Sequence, residues 1–243
     1  MQLDRLDPDG ILFCLDFDGT LVDIADRPDG IVVPDDLADD LNRLAARAGG
    51  RLAIVTGREV SAIEQFLPGY TGDIFGAHGT EARRDGHLET HPLVGSDTVA
   101  GLQDEARALC EAHAPLLLEP KKTGAVVHYR ADPALEDIVI ATLADAVADR
   151  PELVLHHSKM AIEVRPADAT KGRAVTDLMA GASPDIRPLV AGDDTTDEEA
   201  MEVAETMNGV TIRVGDGETR ATHRVEDPQR MRALVRAWSE AAR

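Results

Sequence analysis

The strongest constraint on this chain is a set of short apolar runs, each closing on acidic or hydroxyl side chains. Ile11–Leu15 leads into Asp16-Phe17-Asp18-Gly19-Thr20-Leu21. Leu52–Val55 leads into Thr56-Gly57-Arg58, and residues 187–191 lead into Gly192-Asp193-Asp194-Thr195-Thr196-Asp197-Glu198. Runs this short, bounded by turn residues, read as buried strands. Between the first two, Leu37, Leu41, Leu44, Ala45 and Ala48 fall at helical spacing, and Gly49-Gly50 stops the helix. Strands that alternate with helices pair in parallel, so the expected core is an α/β, doubly wound, Rossmann-like sheet. Such sheets bind ligands outside the carboxyl ends of their strands, where the polar groups of this chain collect.

After about Glu81 the pattern changes. Residues 96–113 read as a helix, 116–118 and 125–129 as strands, 132–149 as a helix opened by Asp132-Pro133, and 153–156 and 160–164 as two more strands. From Thr170 the first pattern resumes, with a helix to Met179, strands at 187–191 and 210–214, a helix from Thr196 and a last helix to about Ala242. The expected organisation is a core formed by residues 1–83 and 166–243, interrupted by a smaller α/β insert at 84–165.

Composition narrows the partners. The chain has 45 Asp and Glu against 25 Lys and Arg, a net charge of −20, and only 3% aromatic residues. Nucleic acid and anionic membrane both require a cationic face, and single strands require stacking platforms, so neither is expected. Cys14 and Cys110 are too few for a disulfide scaffold. No run approaches a membrane span, and the first residues lack an apolar signal core, so the expected location is cytoplasmic. The acidity fits compositional drift or a salt-rich cytoplasm.

The polar strand ends share one chemistry. Asp16, Asp18 and Asp193 offer hard oxygen ligands to a cation such as Mg2+. The loop is no EF-hand, because Arg27 stands where a bidentate Glu would be needed. Thr56 offers a hydroxyl, and the helix start behind it offers N–H groups for a phosphate. Lys171 adds a compact positive charge. Taken singly, Asp-x-Asp or Thr-Gly-Arg is an ordinary turn or helix start. Their order on successive strand ends points to phosphoryl chemistry.

These motifs are similar to the four ordered motifs of the haloacid dehalogenase superfamily. The resemblance implies Asp16 as nucleophile, Asp18 as general acid and then base, and Thr56 and Lys171 as phosphate ligands. It implies Mg2+ held by Asp16, the Asp18 main-chain carbonyl and Asp193, with Asp194 and Asp197 in supporting positions. The insert sits where the superfamily carries a C2-type cap. His78-Gly79-Thr80-Glu81, Glu119-Pro120-Lys121, His128-Tyr129-Arg130 and Glu163-Val164-Arg165-Pro166 resemble segments of trehalose-6-phosphate phosphatases. That resemblance implies a sugar phosphate substrate, with Glu119, Lys121 and Glu163 on the distal glucose and a functional link to a trehalose-6-phosphate synthase. Arg58 would reach substrate or pair with a neighbouring acid. His78 and His128 read as structural hydrogen-bonders. The competing readings are a phosphatase of sucrose 6-phosphate or mannosyl-3-phosphoglycerate, a phosphomutase, and a non-catalytic sugar-phosphate-binding regulator.

Overall fold

The computed structural model describes residues 3–25, 27 and 30–240. Along the chain run β1 (Ile11–Leu15), α1 (Leu37–Arg47), β2 (Leu52–Val55), α2 (Val60–Phe66), β3 (Asp73–Gly76), β4 (Glu81–Arg84), β5 (His87–Thr90), α3 (Asp97–Ala112), β6 (Leu117–Lys121) and β7 (Gly124–His128). There follow α4 (Glu136–Val147), β8 (Leu153–Ser158), β9 (Ala161–Pro166), α5 (Lys171–Met179), β10 (Arg187–Gly192), α6 (Thr195–Thr206), β11 (Val210–Val214), β12 (His223–Val225) and α7 (Pro228–Glu240). The end of the last expected helix, near Ala242, lies outside the described residues. Among the described residues no helix is long and apolar enough to cross a membrane.

The chain divides into two compact units, residues 1–89 with 170–243, and residues 90–169. The first holds an eight-stranded sheet in the order β12-β11-β10-β1-β2-β3-β4-β5. From β12 to β3 neighbouring strands are parallel, and β4 returns antiparallel to β3. Strand order therefore reverses between β1 and β10, and that is the switch point. The alternating side chains of β1 explain its buried position. Ile11, Phe13 and Leu15 pack with α1 and α7 residues such as Leu41, Leu44, Leu234 and Trp238. Leu12 and Cys14 face the opposite layer with Val175 of α5 and Met201 of α6. A strand covered on both faces has no room for polar residues, and its first acid comes only where the cover ends.

The insert begins later than expected. β4 and β5 extend the core sheet, so residues 84–89 belong to the core, and residues 166–169 fall with the insert. β5, the edge strand, is exposed along its whole length, β4 beside it is polar and partly buried, and no apolar run announces either.

The second unit is an antiparallel sheet, β6-β7-β9-β8, with α3 and α4 packed on one face. Ala125, Val127, Ile162 and Val164 point into that helical layer and are fully buried. Ser96 caps α3 by accepting from the Val99 N–H at 3.3 Å. Asp132 caps a short 3-10 turn at Pro133–Leu135, and α4 starts only at Glu136. On the other face, the pairing Glu119↔Val126↔Glu163↔His156 sets four residues in one row.

Candidate active site

The switch point assembles the acids. Asp16 directly follows β1, and its N–H donates to the Ala191 carbonyl of β10 at 3.0 Å. One residue beyond Gly192, Asp193 turns back beside it. One carboxylate oxygen from each of Asp16, Asp193 and Asp197 lies within 4.8 Å of the others. Two glycines make this approach feasible. A Cβ on Gly19, whose φ is +74°, would run into the Asp193 carboxylate, and a Cβ on Gly192 would run into that of Asp197.

Lys171 is the counter-charge. Thr170 caps α5 by accepting from the Arg173 N–H at 3.0 Å, which makes Lys171 the first helical residue. Its buried ammonium donates to Asp16 Oδ1 at 2.7 Å and to Asp197 Oδ1 at 2.8 Å. Burial alone would lower the pKa of that ammonium, but the carboxylates of Asp16, Asp197 and Asp194 outweigh it and hold the charge. Burial raises the Asp16 carboxyl to about 6, opposed by Lys171 and reinforced by Asp193. Burial likewise raises Asp193 to about 6, with Asp197 and Asp194 adding to the effect. Acids that resist joint ionisation in this way fit a site completed by a divalent cation.

The sequence-predicted residues separate into distinct roles. Asp16 and Asp193 meet in the cluster, but the Asp18 carboxylate does not join it. Arg58 takes that carboxylate in a two-point pair, Nε to Oδ2 at 2.6 Å and Nη2 to Oδ1 at 2.7 Å. Asp197 occupies the third corner, yet both its oxygens are engaged. Oδ1 accepts from Lys171, and Oδ2 accepts from the N–H groups of Asp193 and Asp194 at 3.0 and 3.1 Å. It fixes the loop that carries Asp193. Asp194 caps α6, accepting from the Thr196 and Asp197 N–H groups at 2.8 and 3.2 Å.

Thr56 is buried at the end of β2, anchored by its N–H to the Phe75 carbonyl at 2.8 Å. One donor of the expected cradle at the start of α2 is already taken. The Val60 N–H donates to the buried Glu81 carboxylate at 3.0 Å, so Glu81 satisfies the first N–H of that helix. The reason for a Glu in His78-Gly79-Thr80-Glu81 is thus a helix cap supplied from β4.

Asp16, Asp18, Thr56, Gly57, Arg58, His78, Lys171, Asp193 and Asp194 line one cavity of about 510 Å³, with Ile24, Ala25 and Ile31 also on its wall. That size suits a small organic ligand. His78 is the lining residue that sequence reasoning assigned to structure alone.

Glu119, Lys121 and Glu163 lie in the second unit. Glu119 is held by Lys121 and by His128, whose Nε2 is 3.0 Å from its Oε2. These hydrogen bonds pull its carboxyl below the ordinary range, so it stays ionised. Glu163 occupies the same row, one strand beyond Val126.

The profile of the trehalose-phosphatase family matches residues 14–230. The chain belongs to the trehalose-phosphatase family. Family members are phosphoric monoester hydrolases, and this chain is an enzyme of that class with the fold of haloacid dehalogenase-like hydrolases. It is 35% identical to a probable trehalose-phosphate phosphatase of Sinorhizobium fredii, over 86% of this chain and 79% of that protein. It is 33% identical to the trehalose-6-phosphate phosphatase of Escherichia coli, with the same two coverages of 86% and 79%. Among solved structures, an Aspergillus fumigatus trehalose-6-phosphate phosphatase superposes with a TM-score of 0.79 at 23% identity, over 99% of this chain and 96% of that one.

Proposed function

We propose that this protein hydrolyses trehalose 6-phosphate to trehalose and phosphate, through a phosphorylated Asp16. The observation that carries the reading is the convergence of Asp16, Lys171 and Asp193 at the switch point, in a chain of this family. A bound Mg2+, held by Asp16, Asp193 and the Asp18 carbonyl, supplies positive charge against the phosphoryl oxygens.

The remaining work belongs to the chain. Thr56 and Lys171 hold phosphoryl oxygens and fix phosphorus in line with Asp16. An Asp16 oxygen bonds to phosphorus as the ester bond to the sugar oxygen breaks, and Asp18 gives that oxygen its proton. Water then attacks phosphorus, Asp18 takes the water's proton, and the acyl-phosphate bond breaks to return Asp16 and free phosphate. For Asp18 to serve, Arg58 must release it. The Thr56–Arg58 loop that positions Arg58 also positions the phosphate-binding hydroxyl, so substrate is well placed to exchange for the Asp18 pair.

Glu119, Lys121 and Glu163 read the distal glucose. Carboxylates accept from neighbouring hydroxyls, and a site built on such bonds rejects sugars that lack them. The test is phosphate release from trehalose 6-phosphate, sucrose 6-phosphate, mannosyl-3-phosphoglycerate and p-nitrophenyl phosphate, each with Mg2+ and with chelator. Trehalose 6-phosphate should have the highest kcat/KM of the panel, and chelation should abolish turnover. Faster turnover of another sugar phosphate would overturn the substrate assignment.

A further inference from the structure

The cavity beside Asp16 has one wall that the mechanism above does not use. Ala77, His78 and Gly79 form a turn in which all three residues are left-handed, with φ of 47°, 57° and 95°. Two of them are not glycine, so this conformation is imposed by the surroundings. It is fastened to the phosphate loop on both sides of Gly57. The Ala77 N–H donates to the Arg58 carbonyl at 2.7 Å, and the His78 N–H donates to the Thr56 carbonyl at 3.1 Å.

The imidazole is thereby set against Gly57. A Cβ at that glycine would stand 2.8 Å from His78 Cε1 and 2.9 Å from Nε2, so position 57 admits the ring only because it has no side chain. Thr56 and Lys171 are buried at the floor of the cavity, whereas Gly57 is exposed and His78 half-buried. The ring therefore lies shallower than the phosphate-binding groups. In-line attack from buried Asp16 sends the leaving oxygen toward the open side of the cavity. The His78 Nδ1 is buried, and Nε2 can donate to or accept from a hydroxyl according to the tautomer.

We propose that His78 is a specificity-determining residue whose imidazole hydrogen-bonds a hydroxyl of the sugar ring that carries the phosphate. This deepens the function proposed above and rests on it. Turn strain is maintained here because it delivers a side chain to substrate.

The experiment compares His78→Ala, His78→Asn and Gly57→Ala with the wild type, using trehalose 6-phosphate and p-nitrophenyl phosphate at saturating Mg2+. Asparagine tolerates the left-handed region and keeps a donor and an acceptor. His78→Ala should lose about tenfold or more in kcat/KM on the sugar phosphate beyond any loss on p-nitrophenyl phosphate, as expected for one hydrogen bond. His78→Asn should recover part of that difference, and Gly57→Ala, which displaces the ring, should reproduce it. Equal losses on both substrates, or none, would overturn the proposal. The wild type in the same assay reports separately on the substrate. If it prefers another sugar phosphate of the panel, that ester replaces trehalose 6-phosphate and the ratio to p-nitrophenyl phosphate still decides. Should His78→Ala not fold, the other two variants carry the comparison.

Discussion

Arg58 and Asp18 are locked together by two parallel charge-assisted hydrogen bonds, 2.6 and 2.7 Å long, across 40 residues of chain. The guanidinium also lies over the Phe66 ring at 4.9 Å, so its plane is set by packing as well as by charge. Lysine cannot reproduce a planar fork. Arg58→Lys is therefore expected to lower kcat by about tenfold or more while changing stability by about 1 kcal/mol or less, since the pair is partly solvated. Steady-state kinetics and thermal melting check this. An unchanged kcat would show that Arg58 has no hand in presenting Asp18.

Asp16 and Lys171 lead to a second expectation. Asp16→Asn removes the carboxylate proposed to attack phosphorus but leaves Lys171 its bond to Asp197 at 2.8 Å. Turnover should fall at least about 10³-fold with the fold intact. The melting temperature should hold or rise, because a buried acid whose charge was opposed by desolvation is gone. Residual turnover near the wild-type value would end the assignment of Asp16 as nucleophile.

How far the sequence carried the reading can be seen at single residues. Asp16, Thr56, Lys171 and Asp193 were legible because each stands where an apolar run stops or a helix starts, and chain order alone places them on one sheet edge. The direction of the Asp18 side chain was not legible, since its partner is 40 residues away and nothing local selects it. The pivot role of Asp197 depends on backbone N–H groups that only the folded loop presents. β4 and β5 lack apolar periodicity, so nothing in the sequence marks them as core strands ahead of the second unit, which starts at Thr90. The left-handed turn at Ala77–Gly79 has glycine only at its last position and gave no turn signal for the first two.

Asp16 and Asp193 predict a pH-dependent response to metal. Both carboxyls stand at about 6. A carboxyl raised in the folded state holds its proton there. Its contribution to stability is full below the unfolded value near 3.9 and is lost as pH rises through about 6. A divalent cation competes with those protons. The rise in melting temperature caused by Mg2+ should therefore grow from pH 5.5 to 7.5, and titration calorimetry near pH 6 should show protons released on binding. A metal effect that ignores pH over this range would remove both carboxyls from the cation site.

A substitution at Glu119 tests the proposed sugar recognition apart from the phosphoryl chemistry. Its carboxylate is kept ionised chiefly by hydrogen bonds from Lys121 and His128. Glu119→Gln keeps the shape and removes the charge. On trehalose 6-phosphate it should cost about tenfold or more in kcat/KM beyond its effect on p-nitrophenyl phosphate, which has no sugar. Parallel losses on the two substrates would place Glu119 outside sugar recognition.

Gly19 offers a test in which strain and collision can be told apart. Its φ is +74°, and that of Gly86, in the turn between β4 and β5, is +78°. An alanine at either position meets the same left-handed penalty, about 1–2 kcal/mol. Around Gly86 nothing lies within 4 Å of the added methyl, whereas at Gly19 the methyl would enter the space of the Asp193 carboxylate. Gly86→Ala should therefore lose stability alone. Gly19→Ala should lose stability by at least as much and, in addition, Mg2+ affinity and turnover, by about 10²-fold or more if Asp193 is forced off the position facing Asp16. Thermal melts, Mg2+ titration and phosphate release on the two variants side by side make the comparison. Equal behaviour of the two would mean that the close approach of residues 19 and 193 does nothing for the cation site.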